Sequence, residues 1–354
     1  MKYDFNNILI EPAVISYIVS RYNDVNPFIL INDRKYLPIM TAPMDTVINH
    51  DNYSYYNIND IIPVLPRNIN YFEQIGKLGT LRFSEQTNNF FSFGLSDFEK
   101  LLDQEELYID NVLLDIANGH MNIIQNLARR FKKKFPEVKL MVGNIANPET
   151  YIHLANTESI DFVRCGIGNG GGCLTTKSTS IGYPMASLII ETREIKNKLE
   201  KLNSKRELPN IVADGGMKDY SDIVKALALG ADFVMVGSLF NKCVESAGEN
   251  YYRGKKISQE KAIKLYNKGI KTQKMFRGMS TKEAQKDLGV KNLKTSEGVV
   301  RYHDVEYSIA GWVENFKHYL RSAMSYTDSR NLNEFIGKVN YNIITSEAYE
   351  RFNK

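Results

Sequence analysis

A (β/α)8 barrel is the fold class this chain predicts, and three features of its 354 residues point there. Short, near-continuous apolar runs recur, amphipathic segments separate most of them, and polar residues gather where the apolar runs end. The runs fall at 38–46, 61–66, 89–94, 111–117, 138–145, 161–168, 210–216 and 232–239. A strand apolar on both faces belongs to a parallel sheet covered by helices. Segments 121–135, 148–156, 185–202 and 220–229 carry the helical spacing expected between them. Eight such units over about 240 residues suit the ~250-residue size of this barrel. A doubly wound open sheet shares the alternation, so pattern alone leaves it open. Beyond the eighth run, 255–268 is polar and helix-prone, 277–298 is charged and broken by Gly289 like a mobile flap, and 313–325 has helical apolar spacing. The expectation is one α/β domain spanning 1–354, with the flap and a C-terminal extension.

The third feature concerns polarity. In a (β/α)8 barrel every active-site loop lies at the C-terminal ends of the strands. Met44-Asp45, Arg67, Asp115 with Asn118, Asn144, the loop at 166–173, Asp214-Gly215-Gly216 and Gly237-Ser238 all close or follow an expected strand. Satisfaction of a core does not account for so regular a placement.

Composition narrows the classes. Hydrophobic residues make up 43% and charged residues 24%, the balance of an ordinary globular chain. The net charge of +4 is modest, and the one basic run, Lys132-Lys133-Lys134 after Arg129-Arg130, reads as a solvated helix face rather than a nucleic-acid surface. No apolar run approaches the ~20 residues of a membrane span. MKYDFNNILIEP lacks a signal-peptide layout. Cys165, Cys173 and Cys243 make no disulfide framework and suit a reducing compartment, so a cytoplasmic protein is expected.

The most informative stretch is GIGNGGGC, Gly166 to Cys173, directly after Phe162-Val163-Arg164-Cys165. Glycines there let backbone amides approach a ligand, and a cysteine at the tip can meet a carbon electrophile. Cys165 and Cys243 sit in apolar contexts and read as inert core thiols; Cys173, among glycines and followed by Thr175 and Thr176, is the candidate nucleophile. The spacing of Gly166, Gly168 and Gly171 matches a dinucleotide fingerprint, but no helical pattern follows until Met185, so that reading fails. Asp214-Gly215-Gly216 and Gly237-Ser238 end the seventh and eighth runs, where barrels commonly hold phosphate. Glu297, alone in Ser296-Glu297-Gly298, carries no signal of its own.

In order along the chain, FNNILIEP, TAPMDTV, LDIANGH, VGNIA, GIGNGGGC, ADGG, MVGSL and RGMS resemble the IMP dehydrogenase / GMP reductase family over nearly the whole length. The resemblance implies a (β/α)8 barrel without the regulatory-domain insertion, binding a purine 5′-nucleotide, with Cys173 attacking purine C2. Residues 280–296 contain neither the arginine nor the tyrosine with which dehydrogenases activate water, and SDFEK, DIANG, GMS and TSEG look like reductase versions. The implied reaction is therefore NADPH-dependent reductive deamination of GMP to IMP and ammonia through a covalent Cys173 adduct. Thr175 and Glu297 would relay the proton. Asp214, Gly215, Gly216, Gly237, Ser238, Met279, Ser280 and Asn144 would bind substrate, and Asp115, Asn118 and Gly119 the cofactor. The resemblance also suggests a homotetramer, and the backbone of Gly168, Gly170 and Cys173 as the place for a monovalent cation such as K+.

The loop departs from the family pattern GIGPGS, apolar residue, Cys-Thr-Thr-Arg. Asn169 replaces the proline, Gly171 the serine, Gly172 the apolar residue, Leu174 the first threonine and Thr176 the arginine; Phe276 stands where dehydrogenases place a phosphate-binding tyrosine. The expectation is a floppier loop and an altered phosphate grip, hence a divergent enzyme acting on a modified or less phosphorylated nucleotide. Alternatives are an IMP dehydrogenase-like oxidoreductase and a nucleotide-binding sensor.

Overall fold

In the computed structural model, which describes residues 1–67, 88–287, 295 and 298–352, the chain closes into a parallel barrel. Its strands, numbered β1 to β8, are Ile39–Thr41, Val64–Leu65, Phe90–Phe93, Asn111–Asp115, Lys139–Ile145, Phe162–Cys165, Asn210–Asp214 and Phe233–Val236. They pair in sequence order, and β8 returns to β1. Closure is completed by a parallel bridge between Met40 and Ile62, with the Thr41 amide donating to the Ile62 carbonyl at 3.1 Å. A closed sheet leaves no exposed edge, which excludes the open-sheet alternative.

Side chains of a strand alternate between faces, and that period of two organises the barrel interior. Leu113, Met141, Phe162, Val212 and Phe233 pack inward as a dry floor. Phe162 anchors it through edge contacts to Phe90 and Phe233, with ring centroids 5.3 and 5.6 Å away. Two residues further along three of these strands stand Asp115, Arg164 and Asp214, so one face changes from apolar to charged as it nears the mouth. The outward residues form the larger core under the helices.

Three of the four helical expectations closely match Ile123–Lys134, Met185–Leu202 and Tyr220–Leu229, and the segment 148–156 yields the shorter helix Thr150–Ala155. Asp219 caps the third by accepting from the Asp222 amide at 3.1 Å, and Gly230, at φ 122°, ends it. The region 313–325 lies within the helix Ile309–Tyr326.

Two expectations need correction. Residues 255–268 are not helical throughout: Lys255–Ile257 pairs with Asn250–Tyr252 across a turn with positive φ at Arg253 and Gly254, and the helix is Gln259–Tyr266. A short helix, Thr175–Thr179, also begins before Met185, its first turn closed by the Ser178 amide on the Leu174 carbonyl. It does not revive the dinucleotide reading, because it ends at Ser180, and the sheet is a closed barrel.

The segment expected to form a flap, 277–298, begins at the end of a strand in an antiparallel sheet. Asn250–Tyr252, Lys255–Ile257, Gln273–Arg277 and Val300–Asp304 are β9 to β12, and β11 lies between β9 and β12. The helix Lys282–Asp287 follows β11. Residues 288–294 and 296–297 lie outside the described residues.

Candidate functional site

The ends of the barrel strands open into one cavity of about 690 Å³, within the ~300–1,000 Å³ usual for small-molecule sites. Met44, Arg67, Asp115, Asn144, residues 166–173, Asp214–Gly216 and Gly237-Ser238 line it, together with Met279 and Ser280 from the flap. Of the polar positions expected at the strand ends, only Asp45 and Asn118 stand outside the lining. Gly119 is also one step back: its amide donates to the Asn144 carbonyl at 2.7 Å, and a Cβ there would lie 2.5 Å from that oxygen.

Cys173 is half-buried at the tip of its loop. Its Sγ lies 3.2 Å from Thr175 Oγ1, and the Thr175 amide points at the sulfur from 3.5 Å. The two buried thiols differ: burial pushes both Cys165 and Cys243 up, so both stay protonated and inert. The glycines of the loop have separate steric reasons. Gly168, at φ +79°, has the Thr176 side chain where its Cβ would fall, 1.8 Å from Thr176 Oγ1. Thr176 Oγ1 in turn donates to the Ile181 carbonyl at 2.7 Å. The threonine that replaces the family arginine therefore ties the loop's two ends. Gly172 faces Phe276, whose Cε1 would be 3.0 Å from an added Cβ, and the Gly278 amide at 3.2 Å. Absence of a side chain at 172 and presence of a phenyl ring at 276 are two halves of one packing solution.

The nucleophile loop is joined to the flap root. Cys173 and Gly298 form an antiparallel bridge, the Val299 amide donates to the Gly172 carbonyl at 3.1 Å, and the Gly278 amide donates to the Val299 carbonyl at 3.2 Å. A Cβ on Gly278 would sit 2.4 Å from the Gly172 carbonyl oxygen. Arg277 fixes the other side: its guanidinium pairs with Asp45 at the end of β1 and, at 2.5 Å, with Asp287 at the end of the flap helix. Burial opposes the Arg277 charge, but these two carboxylates outweigh it and hold the guanidinium above its ordinary range. Glu297 lies outside the described residues.

Arg164 is the charged cavity-lining residue that reading the sequence missed, because it was absorbed into an apolar run. Following Phe162 by two positions on β6, it faces the barrel interior, and Gly143 on β5 leaves room for it: a Cβ there would be 2.5 Å from Arg164 Cβ. Arg164 Nη1 reaches Asp115 Oδ1 at 2.6 Å, and Nη2 reaches Asp214 Oδ2 at 3.0 Å. Burial alone would lower its affinity for a proton, but Asp214 and Asp115 reverse the sign. Arg67 holds the second Asp115 oxygen at 2.9 Å, and Asn144 Nδ2 donates to Asp214 Oδ2 at 2.8 Å. An arginine inside an otherwise apolar strand was the available signal. The network fixes Asp214 through Oδ2, leaving Oδ1 without a hydrogen-bond partner among the described residues.

On the opposite side, Gly215 and Gly216 take φ +83° and +89°, and Gly215 comes within contact of the Gly170 backbone. Ser238 Oγ lies 3.9 Å from where a Gly171 Cβ would be. The hydroxyl missing at 171 therefore has a neighbour at 238 facing the same space. Glycine backbones and one hydroxyl converge there, an arrangement suited to an anion. No group of three or more His, Cys, Asp or Glu side chains among the described residues has the arrangement of a metal site, and among them no helix is long and apolar enough to cross a membrane.

Comparison with known proteins agrees with this geometry. The family model described as IMP dehydrogenase / GMP reductase domain matches residues 2–352. A GMP reductase of Onchocerca volvulus is 28% identical over 99% of this chain and 93% of its own. One of Staphylococcus saprophyticus is 27% identical over 98% and 97%. GMP reductase 1 of Homo sapiens is 27% identical over 98% and 96%.

Proposed function

The chain belongs to the IMP dehydrogenase / GMP reductase family, and from that premise we propose that this oxidoreductase carries out the reductive deamination of GMP to IMP and ammonia. The observation that carries the reading is Cys173 beside Thr175, at the rim of a cavity whose far wall is the glycine and serine cradle of β7 and β8. A purine nucleotide with its phosphate in that cradle, near Gly216, Gly237 and Ser238, presents its base toward the thiol. Asp214 Oδ1 is free to accept from a ribose hydroxyl, and Met279 and Ser280 border the base.

In this reading the Cys173 sulfur forms a bond to purine C2, and the exocyclic amine, protonated as it leaves, departs as ammonia. Thr175 passes that proton, with Glu297 as its assigned source. NADPH, when bound, supplies the hydride to C2. The carbon–sulfur bond then breaks and the electron pair returns to sulfur, releasing IMP. The cavity fits a nicotinamide beside the base, since it extends from the cradle to Asp115, Ile116 and Ala117 at the end of β4; Asn118 and Gly119 shape that end from behind. The carbonyl of Gly170 accepts from the Cys173 amide at 3.0 Å and keeps a second lone pair, so the backbone of Gly168, Gly170 and Cys173 would be the place to hold a monovalent cation such as K+.

Residues 280–296 lack the arginine–tyrosine pair of a dehydrogenase, which favours reduction over oxidation. The cytoplasm is the compartment that suits three unpaired thiols. Exposed Ile15, Tyr17 and Tyr326, near one another where the Ala13 amide donates to the Tyr326 carbonyl, support self-association, and the family resemblance alone suggests that the assembly is a homotetramer. The test is a pair of assays followed at 340 nm. GMP-dependent loss of NADPH with ammonia release supports the reading, whereas IMP-dependent formation of NADH, with no GMP reaction, replaces it with a dehydrogenase.

A further inference from the structure

The phosphate side of the cavity carries more positive charge than one phosphate requires. Lys242, Arg301 and His303 line it beside Ser238 and Phe276. Arg301 and His303 alternate along β12 and so share a face. His303 stacks on Phe276 with centroids 4.9 Å apart, which places its ring against the side chain that packs on Gly172.

The hydrogen bonds fix the tautomer of His303. Asn241 donates through Nδ2 to the carbonyls of Thr46 and Met275 at 2.8 and 3.0 Å, so its Oδ1 faces His303 Nδ1 at 2.8 Å and must accept from it. The proton is on Nδ1, and Nε2 has no protein partner among the described residues. The Arg301 side chain, which is exposed, likewise makes no ion pair or hydrogen bond among them. Lys242 has one partner, the exposed Glu306 at 2.8 Å. Burial chiefly, then the charges of Lys242 and Arg301, hold His303 below its ordinary range, so the three groups sense one another. Two cations therefore face the cavity against a single surface carboxylate, while His303 Nε2, unprotonated in this tautomer, is an acceptor and adds no charge.

We propose that Lys242 and Arg301, with His303 holding the Phe276 ring beside them, form a second phosphate subsite, adjoining the cradle at Gly171 and Ser238, that takes the β-phosphate of a purine nucleoside 5′-diphosphate. The proposal rests on the reading of the cavity as a purine nucleotide site. It gives the divergent loop a different consequence from the one its sequence suggests: the pocket selects for more phosphate rather than less. A phosphate could also be offered by the 2′-phosphate of the cofactor, and the experiment separates the two.

Binding of GMP, GDP, NADPH and NADH is measured by calorimetry on the full chain and on Arg301→Ala, an exposed position where loss of folding is not expected. GDP should bind at least as tightly as GMP. Arg301→Ala should weaken GDP about tenfold, the loss of one charge-assisted contact, and weaken GMP several times less. Equal losses for both nucleotides, or GDP weaker than GMP in the wild type, overturn the subsite. A loss confined to NADPH, sparing GDP and NADH, assigns the cluster to the cofactor and overturns it too. Failure of GMP itself to bind is a separate result and removes the nucleotide reading on which the proposal stands.

Discussion

Replacing Arg164 by methionine tests the charged layer of the barrel in quantitative terms. The arginine side chain is 10% exposed, and Asp115 and Asp214 are 15% and 16% exposed, so solvent screens this triad weakly. Removing one partner of a buried ion pair costs about 3–5 kcal/mol, because the remaining charge stays buried without its counterion. Here Asp115 keeps Arg67 and Asp214 keeps Asn144, which places the loss at the lower end, about 3 kcal/mol. Unfolding entropy of about 2.1 cal/mol/K per residue, over 354 residues, makes each 1 kcal/mol worth about 1.3 °C, so Tm should fall by about 4 °C. Much of that loss is the stranded carboxylate. Arg164→Met combined with Asp214→Asn should therefore melt above Arg164→Met alone, with a coupling of about 1–3 kcal/mol in a double-mutant cycle. Calorimetry and denaturant titration read both quantities. A single variant within about 1 kcal/mol of wild type, well below the range for a buried pair, or strictly additive losses, would refute the argument that these groups act as one buried unit.

Other outcomes follow from the same contacts. Gly172→Val should lose about 1–3 kcal/mol through overpacking against Phe276 and the Gly278 backbone; thermal melting checks it, and recovery in Gly172→Val with Phe276→Ala would identify the ring as the obstacle. Arg277→Leu unties the flap helix from Asp45, so steady-state kinetics should show kcat falling more than GMP affinity. Lys274, fully buried and donating to the carbonyls of Ser246 and Gly248, is brought down to about 7 by burial. Its folded value lies below the unfolded ~10.4, so the unfolded chain holds more protons between those values and wild-type stability should rise with pH across that window. Lys274→Met should remove that part of the rise, as read by urea titration from pH 7 to 10.

The eight barrel strands were legible because a parallel strand buried on both faces must be apolar nearly throughout, and so stands out against polar loops. The ends of those strands were legible for the converse reason: Asp115, Asn144 and Asp214 interrupt apolar runs where a core gains nothing from them. Arg164 was hidden by the same rule, since one charged residue within four does not disturb an apolar run, and its partners lie 49 and 50 positions away. The sheet of β9 to β12 escaped because its strands are short and polar, held by long-range backbone pairing rather than by local pattern. The anchorage of the segment after β11 through Arg277 to Asp45 spans 232 positions, and no local signal reports it. The loop substitutions pointed to a weakened grip on phosphate. Ser238 facing the gap at Gly171, and Thr176 filling the space between Gly168 and Gly182, are contacts that only the folded arrangement reveals.

The central claim, hydride delivery to a purine carbon activated by Cys173, is tested most directly by isotope transfer. GMP is incubated with NADPH deuterated at its transferable position, and the product IMP is analysed by mass spectrometry beside the same reaction with Cys173→Ala. The account predicts deuterium at C2 of IMP from the wild type, and a rate lower by at least about a thousandfold in the variant, as for loss of a covalent nucleophile. IMP formed without deuterium, or labelled IMP formed equally well without the thiol, would contradict it.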